Sequence, residues 1–582
     1  MRSSSLIPLA ALLLLGLVGC GQPAAPVNPP AGGSAANGAP EPLAAVDWRA
    51  GSIYFLMTDR FYNGNPANDN GGPGDNQPAQ TDNPMAWQGG DFQGVIDKIN
   101  AGYFNKLGVT AIWMTPAYLQ GPPQPGPSTD NPQNLLNYPY HGYWPWNFQY
   151  PDPHFGRPAT LQALVQDAHQ HGLAVILGQI VNDAGYGYPA YQRERQQIAS
   201  GQLTLSNSAQ ALQTFQFHHR AASGLCEPYS GAYNARLDCP LSNLPDWNSD
   251  NLQVQRYLDQ STSYWLSTYG LDGIRLDAAM YVPNTFWAQY FSYLHAQGEH
   301  PLAFGEVFNG SPSFVGSFTQ PQVGFSSAEN YPLYFAITQS GLVPGQSAFY
   351  GYSNLAAVNY AVEQNLKADA HPNLMINFID DQDVPRFTSL LSNNGVAPGQ
   401  ILPRWQIAEL LSYTLPGIPV IYYGDEAGMT GTYDPYQAVA SGDPSNNDRQ
   451  PMTVWTSAQR QAAGVQDYYS WLQDLNGLKA SQAALQTGSY APLFVPSSSD
   501  PNLFVYARSS GSQTLDVLIN ATGNAVTLDQ LPGEGNGIPE TGLPAGPTTD
   551  LLGGSSPVTV TASGSGTALN GTLPAWSALV LK

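Results

Sequence analysis

The sequence predicts an α/β protein: a (β/α)8 TIM barrel with an inserted subdomain after strand 3 and a C-terminal antiparallel β-sandwich. Apolar runs of strand length alternate with helical patterns over most of the chain, which is typical of a parallel barrel. An irregular stretch interrupts this alternation, and short β-patterned segments replace it near the C-terminus. With 582 residues, 42 % of them apolar, the chain can bury more than one core.

The first half of the predicted barrel can be followed element by element. Apolar runs at residues 52–57, 110–114 and 173–177 predict three buried strands. Between the first two, apolar residues recur at helical spacing until Gly108, which is expected to end the helix. A second helix is expected to begin at the capping residue Thr160 and to run into the third strand.

The second half continues the same pattern. Further strands are predicted at residues 271–276, 301–305, 374–379 and 418–423. Residues 183–250 fit neither a helical nor a strand period, and they predict the inserted subdomain. We expect the barrel to occupy residues 47–485 and the β-sandwich to occupy residues 486–582.

The amino terminus has the pattern of a targeting segment. Arg2 precedes an apolar run at residues 6–18, which has the length of a signal-peptide core and is too short to span a bilayer. The run ends in LVGC, which resembles the bacterial lipobox and implies lipid attachment at Cys20. We therefore predict a lipoprotein signal peptide at residues 1–20 and a flexible Pro/Ala/Gly linker at residues 21–46. The body should lie outside the cytoplasm, anchored by lipid to a bacterial membrane or secreted.

Two further cysteines, Cys226 and Cys239, lie close together in the sequence. In an oxidising compartment they are expected to form a disulfide that closes a short loop. A zinc site would need more Cys or His nearby, and a thiol nucleophile would need a neighbouring base.

Composition narrows the class of partner. The chain has 20 Lys and Arg against 42 Asp and Glu, a formal net charge of −22. This balance argues against nucleic-acid binding, because phosphate contacts need clustered basic residues. Few charges and many aromatic, amide and hydroxyl side chains suit a neutral, hydroxyl-rich ligand. We expect no membrane contact beyond the lipid anchor, and a monomer.

Acidic residues follow three of the predicted strands. Asp277 comes after GIRL, Glu306 after LAFG, and Asp383 after MINFIDDQ. In a barrel the side chains at the carboxyl ends of the strands meet, so these carboxylates should converge. Like charges held close drive their pKa values apart, so that one group stays ionised while another keeps its proton. Retaining glycoside hydrolysis needs this pairing of a nucleophile with a general acid/base.

The same segments resemble a known family. GIRLDAAM, FGEVF, FIDDQD, NLPDWN and PYHGYW are similar to the short conserved segments of the α-amylase family, glycoside hydrolase family 13. GDFQGVIDKI, LGVTAIWMTP, GIPVIYYGDE and DRQPM also match its framework, so the resemblance spans residues 52–452. It implies that Asp277 is the nucleophile, Glu306 the general acid/base and Asp383 the stabiliser of the transition state.

The resemblance also implies roles for neighbouring residues. Arg275, two positions before Asp277 and on the same face of its strand, would keep the nucleophile ionised. Tyr143 in HGYW would stack on the sugar at the cleaved bond. Asp380 and Asp381 are expected to hydrogen-bond at the strand end rather than to react.

Four positions depart from the family pattern. Gln382 stands where the family has His before the stabilising Asp, and Asp183 stands where a second His follows the third strand. Met280 and Tyr281 replace the Lys-His of true α-amylases. Gln382, Asp183 and Tyr281 are still expected to contact the sugar, although neither Gln nor Asp offers an imidazolium.

The expected function is retaining hydrolysis of α-1,4-glucosidic bonds in starch or maltodextrins through a covalent glycosyl-enzyme. The alternatives are a transglycosidase, or a maltodextrin or cyclodextrin hydrolase, of the same family. A non-catalytic glucan-binding lipoprotein is a further alternative, but it would not require the complete set of Asp277, Glu306, Asp383 and Arg275.

An Asn-rich loop predicts a structural Ca²⁺ site. The oxygen ligands would come from Asn63, Asn65, Asn68, Asp69, the Gly89 carbonyl and Asp91. Hard oxygen ligands in this number suit Ca²⁺. Their spacing resembles the amino-terminal calcium site of cyclodextrin glucanotransferases and neopullulanases. The alternative is an Asx-rich turn without an ion.

Overall fold

Eight parallel strands form a closed barrel in the computed structural model. They are β1 (Ile53–Leu56), β2 (Ala111–Met114), β3 (Ala174–Gln179), β4 (Gly273–Leu276), β5 (Leu302–Gly305), β6 (Ser327–Ala328), β7 (Ile376–Asn377) and β8 (Ile418–Tyr422). Their hydrogen-bonded order is β6-β5-β4-β3-β2-β1-β8-β7. A parallel bridge between Glu329, directly after β6, and Ile376 of β7 closes the circle. The predicted TIM barrel is confirmed.

Most barrel strands are buried along their whole length, which explains why they read as apolar runs. Every residue of β1, β2, β3 and β4 is buried. Helices cover the outside of such a barrel and side chains fill its inside, so neither strand face needs polar residues. β6 is buried as well, but its residues Ser327 and Ala328 are too few and too small to form an apolar run.

Helices connect the strands and cover the barrel. They are α1 (Thr58–Phe61), α2 (Phe92–Asn100), α3 (Tyr103–Leu107), α4 (Pro158–Gln170), α5 (Pro189–Ala199), α6 (Leu252–Tyr269), α7 (Asn284–Ala296), α8 (Pro312–Gly316), α9 (Tyr331–Ile337), α10 (Ala356–Ala368), α11 (Phe387–Asn393), α12 (Pro398–Thr414), α13 (Ser457–Ala463), α14 (Gln466–Ser481) and α15 (Ala483–Thr487). Gly108 ends α3 in the left-handed region, at φ +91°, as expected. The prediction that a helix begins at Thr160 is wrong: α4 begins at Pro158, a residue whose fixed φ suits the first helical position.

The connection between β2 and α4 carries two small antiparallel sheets. Residues Tyr118–Gln120 pair with Pro145–Pro151, and Gln124–Pro125 pair with Leu136–Asn137. The first of these sheets flanks the segment that contains Tyr143.

The region between β3 and β4 holds the predicted insertion. Backbone bridges join Asp183 to Asp246 and Phe217 to Trp247, so the start and the end of this region lie side by side. The Glu194 carboxylate of α5 accepts the backbone N–H of Gln216 at 2.8 Å.

In the described part of the C-terminal region, nine strands form a single antiparallel sheet. They are β9 (Ser489–Phe494), β10 (Leu503–Ser510), β11 (Gln513–Asn520), β12 (Val526–Thr527), β13 (Ile538–Glu540), β14 (Gly546–Asp550), β15 (Gly554–Ser563), β16 (Gly566–Leu573) and β17 (Ser577–Leu581). Leu503 of β10 and Leu569 of β16 share one apolar cluster, although the strands are far apart in the sheet order. The sheet therefore folds across its own core, as in a sandwich.

One face of this sheet packs on the barrel. Phe504 and Tyr506 of β10 belong to the main apolar core, whereas Leu503 and Val505 belong to the C-terminal core. This division follows from the alternation of side chains along a strand. Arg508 is buried and donates through Nη1 to the Thr414 carbonyl of α12, at 2.5 Å.

The structure describes residues 43, 46–71, 77–80, 83–125, 136–203, 213–218, 237, 241–431, 447–531, 537–540, 542–564 and 566–582. The predicted signal peptide with Cys20, most of the predicted linker and the predicted Cys226–Cys239 disulfide lie outside these residues. Within them, no helix combines the length and the apolar character needed to cross a membrane.

Candidate active site

Arg275 brings two of the predicted catalytic carboxylates together. It lies on β4, and Asp277 follows two positions later on the same side of the chain. Arg275 Nη1 donates to Asp277, and Nη2 lies 3.2 Å from Glu306 Oε2. The backbone N–H of Ala278 also donates to Glu306 Oε2, at 2.8 Å. Carboxylates from the ends of the neighbouring strands β4 and β5 therefore meet at one guanidinium group.

The acids can be reached from solvent, whereas the arginine cannot. The side chains of Asp277 and Glu306 are 16 % and 15 % exposed, while that of Arg275 is 2 % exposed. Arg275 thus lies behind the two carboxylates, which face the opening of the barrel. A substrate can meet the acids while the guanidinium stays beneath them.

Asp383 is held by a second cation. Arg449 Nη2 donates to Asp383 Oδ1 at 3.0 Å, and Arg449 Nε donates to the Gln382 carbonyl at 2.9 Å. The Asp383 backbone N–H donates to Asp381 Oδ1 at 2.6 Å, and the Phe387 backbone N–H donates to Asp380 Oδ2 at 2.7 Å. The prediction that Asp380 and Asp381 hydrogen-bond at the strand end is confirmed.

Tyr143 lies beside this group of acids. Its hydroxyl accepts a hydrogen bond from Gln382 Nε2 at 2.8 Å, and Gln382 Nε2 also lies 3.2 Å from Asp383 Oδ2. The Tyr143 ring centroid is 5.8 Å from Arg275 Cζ. His141 stacks near this ring at 5.7 Å between centroids, and its Nδ1 accepts the Tyr143 backbone N–H at 3.0 Å. Burial lowers the pKa of His141 well below its usual range, which agrees with an accepting, neutral imidazole.

The two residues that replace family histidines each present a buried oxygen. Gln382 Oε1 and Asp183 Oδ1 have no hydrogen-bond partner among the described residues. Asp183 Oδ2 accepts from Asn182 Nδ2 at 2.9 Å. Burial and the charge of Asp246 raise the pKa of Asp183 well above its usual range, so its protonated form is favoured. Gln382 Oε1 can therefore accept a hydrogen bond from a ligand, and a protonated Asp183 can donate or accept one.

Tyr281 lies in the short 3₁₀ helix Ala279–Tyr281, which begins two residues after Asp277, and it is buried. The preceding residue, Ala278, has a positive φ of 49°, which turns the chain sharply at the end of β4. The turn places the Ala278 N–H where it reaches Glu306.

The charges of the site act on the pKa of Asp277 in opposite directions. Burial raises the pKa of Asp277 well above its usual range, Arg275 opposes that rise, and the nearby charges of Glu306 and Asp383 add to it. The close contact with Arg275 favours the ionised form of Asp277, because a guanidinium stabilises a carboxylate most strongly in direct contact.

A further carboxylate, Glu329, reaches the same arginine. It is 2 % exposed, and its Oε1 accepts from Arg275 Nε at 2.9 Å. Sequence reasoning missed Glu329 because β6 gives no apolar run. It also left Arg449 without a role, although DRQPM had been recognised as a matching segment. An acid followed by Asn-Tyr-Pro at a helix start is the signal that could have drawn attention to Glu329.

The loop predicted to bind Ca²⁺ lies between β1 and α2. Asp91 caps α2, since its carboxylate accepts the N–H of Gly94 at 2.6 Å. The same carboxylate accepts the N–H of Gly64 at 3.1 Å and of Asn65 at 2.8 Å. Among the residues that the structure describes, no three His, Cys, Asp or Glu side chains form a metal-binding group. This loop offers two carboxylates and otherwise amide and backbone oxygens.

Two amide oxygens of the loop are buried and unpaired. Asn63 Nδ2 donates to Asp69 Oδ1 at 2.9 Å, and Asn68 Nδ2 donates to the His154 carbonyl at 2.7 Å. Asn63 Oδ1 and Asn68 Oδ1 then have no hydrogen-bond partner among the described residues. A Cβ at Gly89 would lie 2.5 Å from Asn63 Nδ2, so glycine lets the backbone approach this loop. Buried oxygens without donors fit a hard cation such as Ca²⁺.

The chain is similar to several known proteins along most of its length. The family model described as alpha amylase, catalytic domain, matches residues 55–495. The beta/alpha-amylase of Paenibacillus polymyxa is 29 % identical over 493 residues, which are 83 % of this chain and 34 % of that protein. A cyclomaltodextrin glucanotransferase of Niallia circulans is 29 % identical over 510 residues, 86 % of this chain and 62 % of that protein. The chain thus spans between about a third and two thirds of the length of these curated relatives.

Among solved structures, the cyclomaltodextrin glucanotransferase CldA, which has a three-domain ABC distribution, superposes with a TM-score of 0.71 at 26 % identity. The match covers 93 % of this chain and 99 % of that one. The family match begins within β1 and ends just after β9, so it includes nearly all of the barrel and every candidate catalytic residue. The chain therefore belongs to the alpha-amylase family and carries its catalytic domain.

Proposed function

We propose that the protein cleaves α-1,4-glucosidic bonds of starch-derived glucans with retention at the anomeric carbon. One observation carries this proposal: Arg275 contacts the carboxylates of both Asp277 and Glu306, which follow neighbouring strands. A shared guanidinium holds the two groups close. That arrangement favours the separation of about 5–5.5 Å found in retaining enzymes over the roughly 6.5–9.5 Å of inverting ones.

In the first step, Glu306 donates a proton to the glycosidic oxygen while Asp277 attacks the anomeric carbon. The C–O bond to the leaving sugar breaks, and an ester bond forms between Asp277 and the remaining glycosyl group. Arg275 contacts Asp277 and opposes the rise in its pKa, and so favours the ionised form that attacks. The Ala278 N–H and Arg275 Nη2 hold the Glu306 carboxyl in place beside the bond that breaks.

In the second step, Glu306 acts as a base. It takes a proton from a water molecule or from the hydroxyl of an acceptor sugar, and the oxygen of that group attacks the anomeric carbon. The ester bond to Asp277 breaks, and its carboxylate is regenerated. Because the acceptor alone decides between hydrolysis and transfer, both outcomes are open to this site.

The remaining residues bind the sugar whose bond is cleaved. Asp383, paired with Arg449, faces the developing positive charge of the transition state. Tyr143 supplies an aromatic face, Gln382 supplies a buried oxygen that a sugar hydroxyl can donate to, and Asp183 supplies a buried carboxyl that can exchange a hydrogen bond with a sugar hydroxyl. Tyr281 is proposed to contact the sugar next to the nucleophile.

We also propose that the loop between β1 and α2 holds a structural Ca²⁺. The ligands would be Asn63, Asn65, Asn68, Asp69, the Gly89 carbonyl and Asp91. The unpaired Asn63 and Asn68 oxygens support this proposal. A bound cation would supply charge balance for Asp69 and Asp91 and would fix the loop that leads into α2.

Location and the remaining covalent features stay proposals from the sequence. A lipid-anchored or secreted protein outside the cytoplasm follows from the pattern that ends at Cys20. A Cys226–Cys239 disulfide would suit that compartment.

A second candidate function is glucan transfer. Similarity to cyclomaltodextrin glucanotransferases favours it, as does the near-complete overlap with CldA. The family match and the complete set of acids support an enzyme, a glycoside hydrolase or a transglycosylase, over a non-catalytic glucan-binding lipoprotein.

Product analysis on starch, pullulan, cyclodextrin and maltotriose tests the proposal. We expect shortened maltooligosaccharides and new reducing ends from starch, because water is the acceptor in abundant supply. Glu306→Gln should abolish turnover while oligosaccharide binding is retained, since the amide keeps the shape but cannot donate or accept the proton. Lengthened or cyclic products alone would reject the hydrolase in favour of the transferase, and full activity of Glu306→Gln would reject the site.

A further inference from the structure

Glu329 is a buried carboxylate at the active site that the mechanism above does not use. It follows β6 directly and takes part in the bridge to β7 that closes the barrel. Its Oε1 accepts from Arg275 Nε at 2.9 Å. Its Oε2 has no hydrogen-bond partner among the described residues. Burying a carboxylate without pairing both of its oxygens costs folding free energy, so a function is expected to explain its presence here.

We propose that Glu329 is a positioning residue of the reaction: it fixes the plane of the Arg275 guanidinium and shares its charge with Asp277 and Glu306. Each side of the guanidinium then has its own carboxylate, since Nη1 meets Asp277, Nη2 meets Glu306 and Nε meets Glu329. With three planar contacts the guanidinium cannot rotate, so its two Nη atoms stay aimed at the reacting groups. The inference rests on the proposed function, because it concerns the same reaction.

A purely structural role would be to supply an acceptor for a buried Arg275 Nε. Any neutral acceptor could do that. A glutamate adds a charge, and three carboxylates then face one guanidinium. The surplus negative charge distinguishes a positioning role in the reaction from a purely structural role, because the charge affects proton transfer and does not affect packing.

The charged and titratable groups that face Glu329 come from several elements. They are Arg275 on β4, Glu306 after β5, Tyr331 on α9, and Asp381 and Asp383 after β7. Burial raises the pKa of Glu329 to about 7; Arg275 opposes this rise, and the charges of Glu306 and Asp383 add to it. The neutral form of Glu329 is therefore favoured at acid pH and the ionised form at alkaline pH. In the ionised form, its negative charge opposes the loss of a further proton from the site.

The pH dependence of turnover separates charge from position. Initial rates on an aryl α-maltooligosaccharide give kcat and KM across both limbs of the profile. Glu329→Gln keeps an acceptor for Arg275 Nε but removes the charge, so the alkaline limb should move to lower pH by about one unit. Glu329→Leu removes both, so kcat should fall about tenfold or more while KM changes less than about twofold.

Glu409→Gln is the matched control. Glu409 is a fully buried glutamate of α12, and Arg275 is not among the groups that act on its charge. The same chemical change there should leave both limbs of the profile in place. If the alkaline limb moves equally in Glu409→Gln and Glu329→Gln, the proposal is overturned, because removing a buried charge anywhere in the protein would then have the same effect.

Other outcomes also decide. Superimposable profiles of wild type and Glu329→Gln overturn the proposal. If thermal unfolding shows that Glu329→Leu does not fold, the Glu329→Gln profile decides alone. A wild-type protein that cleaves no glucan overturns the proposed function instead. Infrared difference spectra then decide for Glu329: a guanidinium band that differs between wild type and Glu329→Gln, but not between wild type and Glu409→Gln, supports the shared charge, and a guanidinium band that is the same in all three overturns it.

Discussion

At the residue scale, the site has more acids than cations. Arg275 meets Asp277, Glu306 and Glu329, while Arg449 meets Asp383. The surplus of carboxylates suits a reaction whose transition state resembles an oxocarbenium ion, because negative groups already in place stabilise a developing positive charge. The same surplus explains why burial and like charges raise the pKa of Asp277 while Arg275 opposes the rise.

Gln382 is the residue-scale departure from the family that the structure explains best. Its Nε2 links the Tyr143 hydroxyl and Asp383, at 2.8 and 3.2 Å. The Gln382 amide can thus hold Tyr143 and Asp383 in fixed relative positions without a titratable ring. Activity should therefore show no dependence on an imidazole at this position.

Replacing Gln382 by Ala should lower kcat/KM about 10- to 100-fold. The Tyr143 hydroxyl and Asp383 lose a shared donor, and leaving a buried polar group unpaired costs ~1–3 kcal/mol. Steady-state kinetics on maltooligosaccharides measures the loss. Gln162→Ala, on the barrel helix α4, is the control and should retain wild-type rates. A Gln382→Ala enzyme with unchanged kcat/KM would show that this link does not contribute to catalysis.

Sequence reasoning found the acids that follow long apolar strands and missed partners that come from elsewhere. Asp277 and Glu306 were found because β4 and β5 are buried throughout and read as strands. Glu329 follows a strand of two small residues, which no hydrophobic pattern marks. Arg449 reaches Asp383 from a loop 66 residues further along the chain, and no periodicity links the two.

At the element scale, the short barrel strands position the acidic side chains in two ways: side chains alternate along each strand, and neighbouring strands pair. Arg275 and Asp277 share a face because they are two positions apart, and Glu306 joins them because β5 is hydrogen-bonded next to β4. The connecting loops are less regular. The helical pattern before Gly108 is divided by Gly102, whose φ of 67° separates α2 from α3. Sequence periodicity could not show that break, because the apolar spacing continues across it.

The loop between β1 and α2 gives an element-scale prediction about calcium. Chelation should lower the melting temperature by about 5 °C or more, because a ligand that binds only the folded state stabilises it by mass action. Added Ca²⁺ should restore the wild-type value. Mg²⁺ should not, because it prefers a smaller octahedral site and keeps its waters. Differential scanning calorimetry measures both effects.

Two variants make this calcium test specific. Asn68→Ala removes one of the unpaired amide oxygens and should abolish the response to Ca²⁺. Asn100→Ala changes an exposed amide at the end of α2 and should keep the response. An equal gain in melting temperature for Asn68→Ala and wild type would place the ion elsewhere, and no gain in wild type would favour the ion-free Asx turn.

At the scale of the whole molecule, the barrel and the C-terminal sheet form one packed body. Alternate residues of β10 divide between the two cores, and buried Arg508 donates to the end of α12 without a carboxylate partner among its hydrogen bonds. Burial lowers the pKa of Arg508 to about 10. These contacts indicate that the C-terminal sheet packs on the barrel. The alternating strand pattern of the sequence was sufficient to predict a β domain here, but it could not show that this domain contacts α12.

The proposed retaining mechanism depends on a covalent bond between Asp277 and the sugar. A 5-fluoro maltosyl fluoride reacts quickly with a retaining nucleophile and leaves it slowly, so the labelled protein can be digested and mapped by mass spectrometry. We predict that the label lies on the peptide that contains Asp277, and that Asp277→Asn is not labelled. Label on a different carboxylate, or turnover with inversion and no labelled peptide, would contradict the account.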